Sequence, residues 1–463
     1  MQKSLHDLSH AMQQPVWHDG QSHDWSTEHA PPTASVDYAI IGGGFSGLWT
    51  AYYLSLVQPQ AVIGLFESRR VGFGASGRNG GWCSGFFPLT LDEMAEKVGR
   101  DAALDAYRES FRTLDEIEKV LKTESISCGW HRGGTVQSAS TLLQANRLEQ
   151  MVAAQHAHGL EPTDLTWIPK ERVSDHLTLA ETHGAVFSPH CATINPFALV
   201  LGLARVLRQR GICLWEDSQV WCVNKGIVHH SRGEVRAKMI IQATEGYSHA
   251  LRNTRRRLAP LYSLMVATEP LDAPALSKIG WRNRATFNDG GRMIIYAQLT
   301  SDNRIAFGGR GAPYHFASRT KDRFDIDDDT HRLICASIAR HFPAAADARI
   351  THRWGGPLGV SRDWMPSVVV DRAAGYSRIG GYAGDGVAAT NLFARILVDR
   401  LVGHDSVAAR LPFFGHQSRR WEVEPLRFIG INSLLRLSDS IDDYERRRGK
   451  PPRIRSRIFE SLL

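Results

Sequence analysis

Apolar and polar positions recur with different periods along this chain, and each change of period predicts an element. Tyr38, Ala39, Ile40 and Ile41 form a short unbroken apolar run, the pattern of a strand buried on both faces. A glycine turn and an apolar-rich helical stretch follow, and a second strand is expected over 61–66. Helical spacing of apolar positions returns over 101–123 and 142–158, and again over 197–209, where Asn195-Pro196 precedes the helix and Gly211 stops it. Short strands are predicted over 211–223 and 226–230, and the apolar run 239–241 leads into Ala243-Thr244-Glu245-Gly246. Residues 260–349 read as the sheet of a second unit, with strands over 293–298 and 304–309 joined by a hairpin connection at 300–303. A last helical run, 388–401, follows a glycine-rich turn.

The first of these patterns carries chemistry. Strand, glycine turn, helix, strand and a closing acid are the parts of a dinucleotide-binding unit, which makes the expected class α/β with a Rossmann-like domain. Gly42 permits the tight turn, Gly44 lets backbone approach a pyrophosphate, and Gly47 lets the helix pack close to the strand. Phe45 and Ser46 open that helix, whose free N–H groups and dipole favour a negative charge. Glu67, 20 residues past Gly47, is placed to accept hydrogen bonds from a ribose diol, with Ser68 beside it. An acid at this position favours a free ribose over a 2′-phosphate, while Arg69 and Arg70 keep that point open.

A second glycine cluster, residues 72–81, supplies small residues for backbone pressed against a flat ligand, and Ala75, Ser76, Arg78, Asn79, Gly80 and Gly81 are its candidate contacts. A third lies at 380–387, where Gly384, Asp385, Gly386 and Val387 precede the last helical run and are candidate contacts at a helix N-terminus, which favours negative charge. On the predicted hairpin, Tyr296 and Arg310 are the candidates for substrate contact, with His315 behind them, because a guanidinium fork suits an anionic group.

Composition narrows the class. At 463 residues and 43% hydrophobic content the chain has material for two or more domains. No apolar run approaches the length of a membrane span, and residues 1–35 lack the apolar core of a signal peptide, so a cytoplasmic location is expected. Six cysteines are scattered without CxxC or zinc spacing, so no metal is expected. The net charge of +7 is concentrated at Arg252, Arg255, Arg256 and Arg257 and in the run from Arg446 to Arg457. With Pro451 and Pro452 inside it and no interleaved aromatic platform, the C-terminal run reads as a solvated segment, and no nucleic-acid partner is expected.

The motifs GGGFSGLWTAYYL, VGFGASGRNGG, RWGGPLGVSRDWMPSV and GGYAGDGVAATN, in that order, resemble the FAD-dependent amine oxidoreductases of the D-amino-acid oxidase superfamily. Within it the gamma-glutamylputrescine oxidase group is most similar, with sarcosine and glycine oxidases further off. The resemblance implies an FAD domain assembled from 36–85, 190–260 and 350–403, with an inserted, mainly antiparallel-sheet substrate domain from 86–189 and 261–349. Residues 1–35 and 404–463 become N- and C-terminal extensions, the latter basic. By the same resemblance Val220 meets the adenine, Ala243 and Thr244 return beside the dinucleotide, and Gly356 and Asp363 approach the ring from its other side. Trp82, Tyr296, Arg310 and Tyr382 are the expected catalytic residues. FAD is expected to be non-covalent, since no cysteine follows Cys335 and the ASGRNGG cluster has no histidine.

The implied reaction is oxidation of a primary or secondary amine, an amino acid or polyamine derivative, by hydride transfer to flavin N5. It gives an imine that water hydrolyses, with oxygen or another acceptor taking the electrons. Two alternatives stand beside it: a flavin hydroxylase using NAD(P)H, suggested by Gly384-Asp385, and a non-catalytic flavin-binding module, suggested by the basic tail.

Overall fold

The computed structural model describes residues 8–251, 254–311 and 313–462, without the side chains of Arg310 and 460–462. Two eight-stranded sheets organise it. In the first, Thr33–Ile41 lies between Gly233–Gln242 and Ile63–Phe66, both parallel to it, and Cys213–Trp215 extends the sheet beyond Ile63–Phe66. Tyr376–Gly380 adds in parallel on the other side of Gly233–Gln242, followed by antiparallel Ser367–Asp371. Helices Phe45–Val57, Pro196–Gln209 and Gly386–Val402 pack together beside this sheet, along with Arg100–Thr123, in one apolar core. The Rossmann-like expectation thus holds, down to the helices predicted over 101–123, 142–158, 197–209 and 388–401.

Local chemistry explains where those helices begin and end. Asn195 caps Pro196–Gln209 by accepting from Ala198 N at 3.0 Å, with Pro196 in the first turn. Thr141 caps Leu142–His158 in the same way, and Gly159, at φ +113°, closes it.

The second sheet is antiparallel apart from the parallel contact of Thr286–Asp289 with Thr135–Ser138. Its order is Ile350–Val360, Ala259–Thr268, Ile305–Arg310, Ile295–Leu299, Thr286–Asp289, Thr135–Ser138, Ala185–Ser188 and Thr166–Ile168. Residues 259–260 and 350–360, which the expected division gave to the nucleotide-binding part, belong to this sheet by backbone pairing, from Ala259 against Val360 to Thr268 against Ile350. Apolar pattern alone identifies a buried strand but not which sheet it joins.

Three further expectations need correction. The strand expected over 211–223 is two strands, Cys213–Trp215 and Val220–Asn224. Between them the buried Glu216 turns inward to accept from Val71 N at 2.8 Å and pairs with Arg70 at 3.1 Å. The N-terminal extension is part of the fold from residue 8 onward: Trp17 is 3% exposed, and Met12 exchanges backbone hydrogen bonds with Thr351 and Arg353. The basic C-terminal segment is helical, Leu426–Arg448 and Arg453–Leu462, and docks by its buried Ile431, Ile441 and Glu445. Glu445 accepts from Arg147 and Arg292, each at 2.9 Å, a pairing no local pattern announces.

Candidate active site

A cavity of about 490 Å³ opens at the carboxyl ends of the first sheet's parallel strands, within the size range of small-molecule and cofactor sites. Its floor is the glycine turn. Gly42 N donates to Phe66 O at 2.8 Å, and Gly42 adopts φ +115° with Ala243 O only 2.4 Å from where a Cβ would stand. Gly44, Phe45 and Ser46 line the cavity where the helix Phe45–Val57 begins, and Gly44 offers that helix no side-chain cap. Gly47 lies behind the wall: a Cβ there would sit 2.0 Å from Gly42 O, so its absence sets the closeness of helix and turn. Glu67, Ser68 and Arg69 form the next side. The Glu67 carboxylate accepts from Gly43 N and Arg69 N, each at 2.9 Å. Enclosure pushes its pKa above the ordinary range, against the pull of those donors.

Val220, Ala243 and Thr244 also line the cavity, and Ala75, Ser76 and Asn79 wall it from the second glycine cluster. Ser76 Oγ accepts from Phe45 N at 2.8 Å, which locks the cluster to the first helix. Tyr382, Gly384, Gly386 and Val387 close the remaining side. The Tyr382 hydroxyl and Ser46 Oγ are 3.0 Å apart, and burial pushes the phenol pKa up. Asp385 is the N-cap residue of Gly386–Val402 and makes no side-chain cap bond, so a second helix N-terminus faces the cavity uncapped. Two helix starts whose N-cap residues supply no side-chain bond, a glycine cradle and an enclosed carboxylate are a donor and acceptor set that would fit FAD, with pyrophosphate at the first helix, ribose at Glu67 and an electron-rich ring edge at the last.

The loop 78–81 stands between this cavity, which Asn79 lines, and Tyr296 of the second sheet, and its four consecutive carbonyls are each held from a different part of the chain. Trp354 Nε1 donates to Arg78 O at 2.7 Å, Trp17 Nε1 to Asn79 O at 2.8 Å, Gln298 Nε2 to Gly80 O at 2.8 Å and Ile194 N to Gly81 O at 2.9 Å. Beyond the loop, the ring of Tyr296 fills the space a Gly80 side chain would need, with its Cε2 2.7 Å from that Cβ position. Trp82 meets Tyr296 edge-on at 6.1 Å and donates to Ala297 O at 3.2 Å, while the Tyr296 hydroxyl lies 2.7 Å from Ser263 Oγ. Asn288 pairs with Tyr296 across the neighbouring strands. Trp82 and Tyr296 are therefore together, one wall away from the cavity.

Other candidates are placed elsewhere. The Arg78 guanidinium pairs with Asp325, donates to Gly355 O at 3.2 Å and covers the Phe73 ring at 4.3 Å, so it is not among the cavity-lining residues. Burial raises the Asp325 pKa to about 6 against the pull of that guanidinium. Gly356 touches the Arg78 stem, with 3.5 Å from its Cβ position to Arg78 Cδ. Asp363 pairs with His416 at 2.8 Å and ties down the C-terminal segment instead of lining the cavity. His315 stacks on Phe324 at 3.5 Å, away from Tyr296. Arg310 ends its strand opposite Ser263, and its side chain lies outside the described residues, as does Arg252.

The sequence analysis proposed no role for several cavity residues, Glu245, Tyr247, Pro357 and Leu358 among them. Glu245, inside the turn singled out there, lines the cavity and accepts from Gly381 N at 2.9 Å and Tyr382 N at 3.1 Å. Burial raises its pKa to about 7, against the pull of those N–H groups. Its signal was an acid at positive φ, +39°, which is visible only in the fold.

Comparison with known proteins agrees with this geometry. The family described as FAD dependent oxidoreductase matches residues 37–400. A probable oxidoreductase of Haemophilus influenzae is 28% identical over 397 residues, covering 81% of this chain and 85% of that protein. The gamma-glutamylputrescine oxidoreductase of Escherichia coli is 28% identical over 378 residues, covering 80% and 84%. Among solved structures, the glycine oxidase of Geobacillus kaustophilus superposes with a TM-score of 0.69 at 18% identity, over 83% of this chain and 99% of that one.

Proposed function

The chain belongs to the FAD-dependent oxidoreductase family, and on that premise we propose that it oxidises a primary or secondary amine, an amino acid or a polyamine derivative. The observation that carries this reading is the meeting of the cofactor cavity with Trp82 and Tyr296 across the pinned loop 78–81. FAD supplies the two-electron acceptor when bound, in our reading without a covalent link. Gly44 and the first turn of Phe45–Val57 take its pyrophosphate, Glu67 its ribose hydroxyls, and the start of Gly386–Val402 the edge of its ring system that becomes negative on reduction. Trp82 and Tyr296 border the substrate, whose reacting carbon reaches past the edge of the loop into direct contact with the cofactor, and they exclude water from it. Tyr296, fixed by Ser263, orients the amine or its carboxylate. Loss of a hydride from the carbon and a proton from nitrogen leaves an imine, which water hydrolyses to a carbonyl compound and an amine or ammonia. Oxygen or another acceptor then takes up the electrons.

The test is anaerobic mixing of the yellow protein with a panel of primary and secondary amines, amino acids and polyamines, followed by admission of oxygen. At least one member of the panel is expected to bleach the visible flavin band, and the rate of recovery in oxygen separates oxidase from dehydrogenase. A flavin that dithionite reduces but no amine does would overturn the proposal. Reduction by NAD(P)H in the presence of an aromatic ligand would do the same, in favour of a hydroxylase.

A further inference from the structure

The basic run near the end of the chain takes no part in the site above, and its folded form differs from a solvated tail. Between 446 and 457 stand seven cations, Arg446, Arg447, Arg448, Lys450, Arg453, Arg455 and Arg457, with no Asp or Glu among them. Arg448, Lys450, Arg453 and Arg457 are exposed. The helix Arg453–Leu462 packs back on Leu426–Arg448 after a left-handed turn at Gly449, with φ +62°. Arg455 donates to Ser440 Oγ at 2.7 Å and lies over the Tyr444 ring at 5.9 Å, while Ser456 is buried.

That docking sets the face turned to water. At about 100° per residue, Ile454 and Ile458 share one side of the helix, with Arg453 and Arg457 along one border and Arg455 along the other. Ile454 is 77% exposed and Ile458 47%. A solvated charged helix needs no isoleucine on its outer side. A nucleic-acid surface pairs cations with phosphates and stacks bases on aromatic rings, and an aliphatic stripe serves neither contact. An anionic lipid surface uses both features: its headgroups attract the arginines, whose stems reach around an apolar stripe that enters the acyl boundary.

We propose that the helix Arg453–Leu462 is an interfacial anchor that docks this protein reversibly on an anionic phospholipid surface. The attachment is peripheral, since no helix among the described residues is long and apolar enough to cross a membrane. It is also salt-sensitive, since charge supplies part of its strength.

Full-length, FAD-loaded protein is sedimented with vesicles of phosphatidylcholine alone or mixed with phosphatidylglycerol. The expected result is partition onto the mixed vesicles only, reversed by high salt. The substitution Ile454→Asn is expected to lower that partition about tenfold, and Arg453→Gln with Arg457→Gln at least about tenfold, with flavin content and amine turnover unchanged. Equal partition onto both vesicle types, or onto neither, overturns the proposal. So does partition indifferent to Ile454→Asn. Stronger retention by duplex DNA or RNA than by vesicles, dependent on the arginines but not on Ile454, overturns it in favour of nucleic acid. An Ile454-dependent dimer in sedimentation velocity overturns it in favour of a second copy of the chain.

Discussion

Trp17 joins the N-terminal segment to the cofactor loop through a single hydrogen bond, from its indole N–H to Asn79 O at 2.8 Å. The ring is 3% exposed and meets Trp354 edge-on at 6.2 Å, so Trp17→Phe keeps an aromatic ring in place but removes the donor. A buried carbonyl deprived of its donor costs about 1–3 kcal/mol, and the smaller ring adds roughly 1 kcal/mol for the space it leaves. The loop 78–81 retains its other three anchors, so it loosens without unfolding. Because Asn79 lines the cavity, the cost of reordering the loop is met when FAD binds. With tenfold in affinity for each ~1.4 kcal/mol, the lost hydrogen bond's about 1–3 kcal/mol is expected to raise the Kd for FAD between about 5-fold and about 140-fold, while the packing loss falls on Tm. Apoprotein stripped of FAD is titrated with the cofactor while flavin fluorescence is followed, and Tm is measured alongside. The control is Trp281→Phe, which removes a comparable buried bond to Ala285 O, 2.6 Å, in the core of the second sheet. It is expected to lower Tm and leave the Kd unchanged. If Trp17→Phe lowers Tm as Trp281→Phe does while its Kd stays within about twofold of wild type, Trp17 is mere packing and the reasoning fails.

Three other outcomes follow from particular contacts. Gly47→Ala would place a methyl 2.0 Å from Gly42 O, and since a backbone atom cannot step aside the first helix retreats from the turn. The expected cost is roughly 1–3 kcal/mol, seen as a lower Tm and a lower flavin-to-protein ratio; a variant with both at wild-type values refutes it. Tyr296→Phe loses the contact with Ser263 but keeps the ring against Trp82. It is expected to reduce kcat/KM for the amine by roughly tenfold or more with an unchanged FAD Kd, and steady-state kinetics beside a cofactor titration checks both. Glu245 has a folded pKa raised to about 7 from an ordinary 4.5, so between those values the folded state retains a proton that the unfolded chain has released. Its contribution to stability is therefore greatest in acid and declines as pH rises through that window, by up to about 3 kcal/mol. Glu245→Gln does not titrate there, so the wild-type-minus-variant Tm of the apoprotein should fall between about pH 5 and about pH 8; a difference independent of pH would show that the carboxyl is not held in this way.

The parts of the molecule that were legible in the chain are those decided by neighbours in sequence. The turn at Gly42, Gly44 and Gly47 and the acid at Glu67 follow from strand and helix periods a few residues away, and the structure gathers Gly42, Gly44 and Glu67 with Ala243, Thr244 and Gly384 around one cavity. Helix limits such as Leu142–His158 follow from caps and stops that are equally local. What the tertiary structure alone decided is pairing at long range. Ile350–Val360 enters the second sheet because Ala259–Thr268 offers it matching backbone groups, and no side-chain pattern encodes that choice. Arg78 and Asp363 look like cofactor contacts in a linear motif, yet Asp325 and His416 take their charges first. Glu245, Trp17 and Gln298 carried no local signal, because their roles consist of hydrogen bonds to backbone 136, 62 and 218 residues away in the chain. Periodicity records what a residue must do for its own element. The donor that a buried carbonyl receives is set by whichever distant segment the packed core brings alongside it.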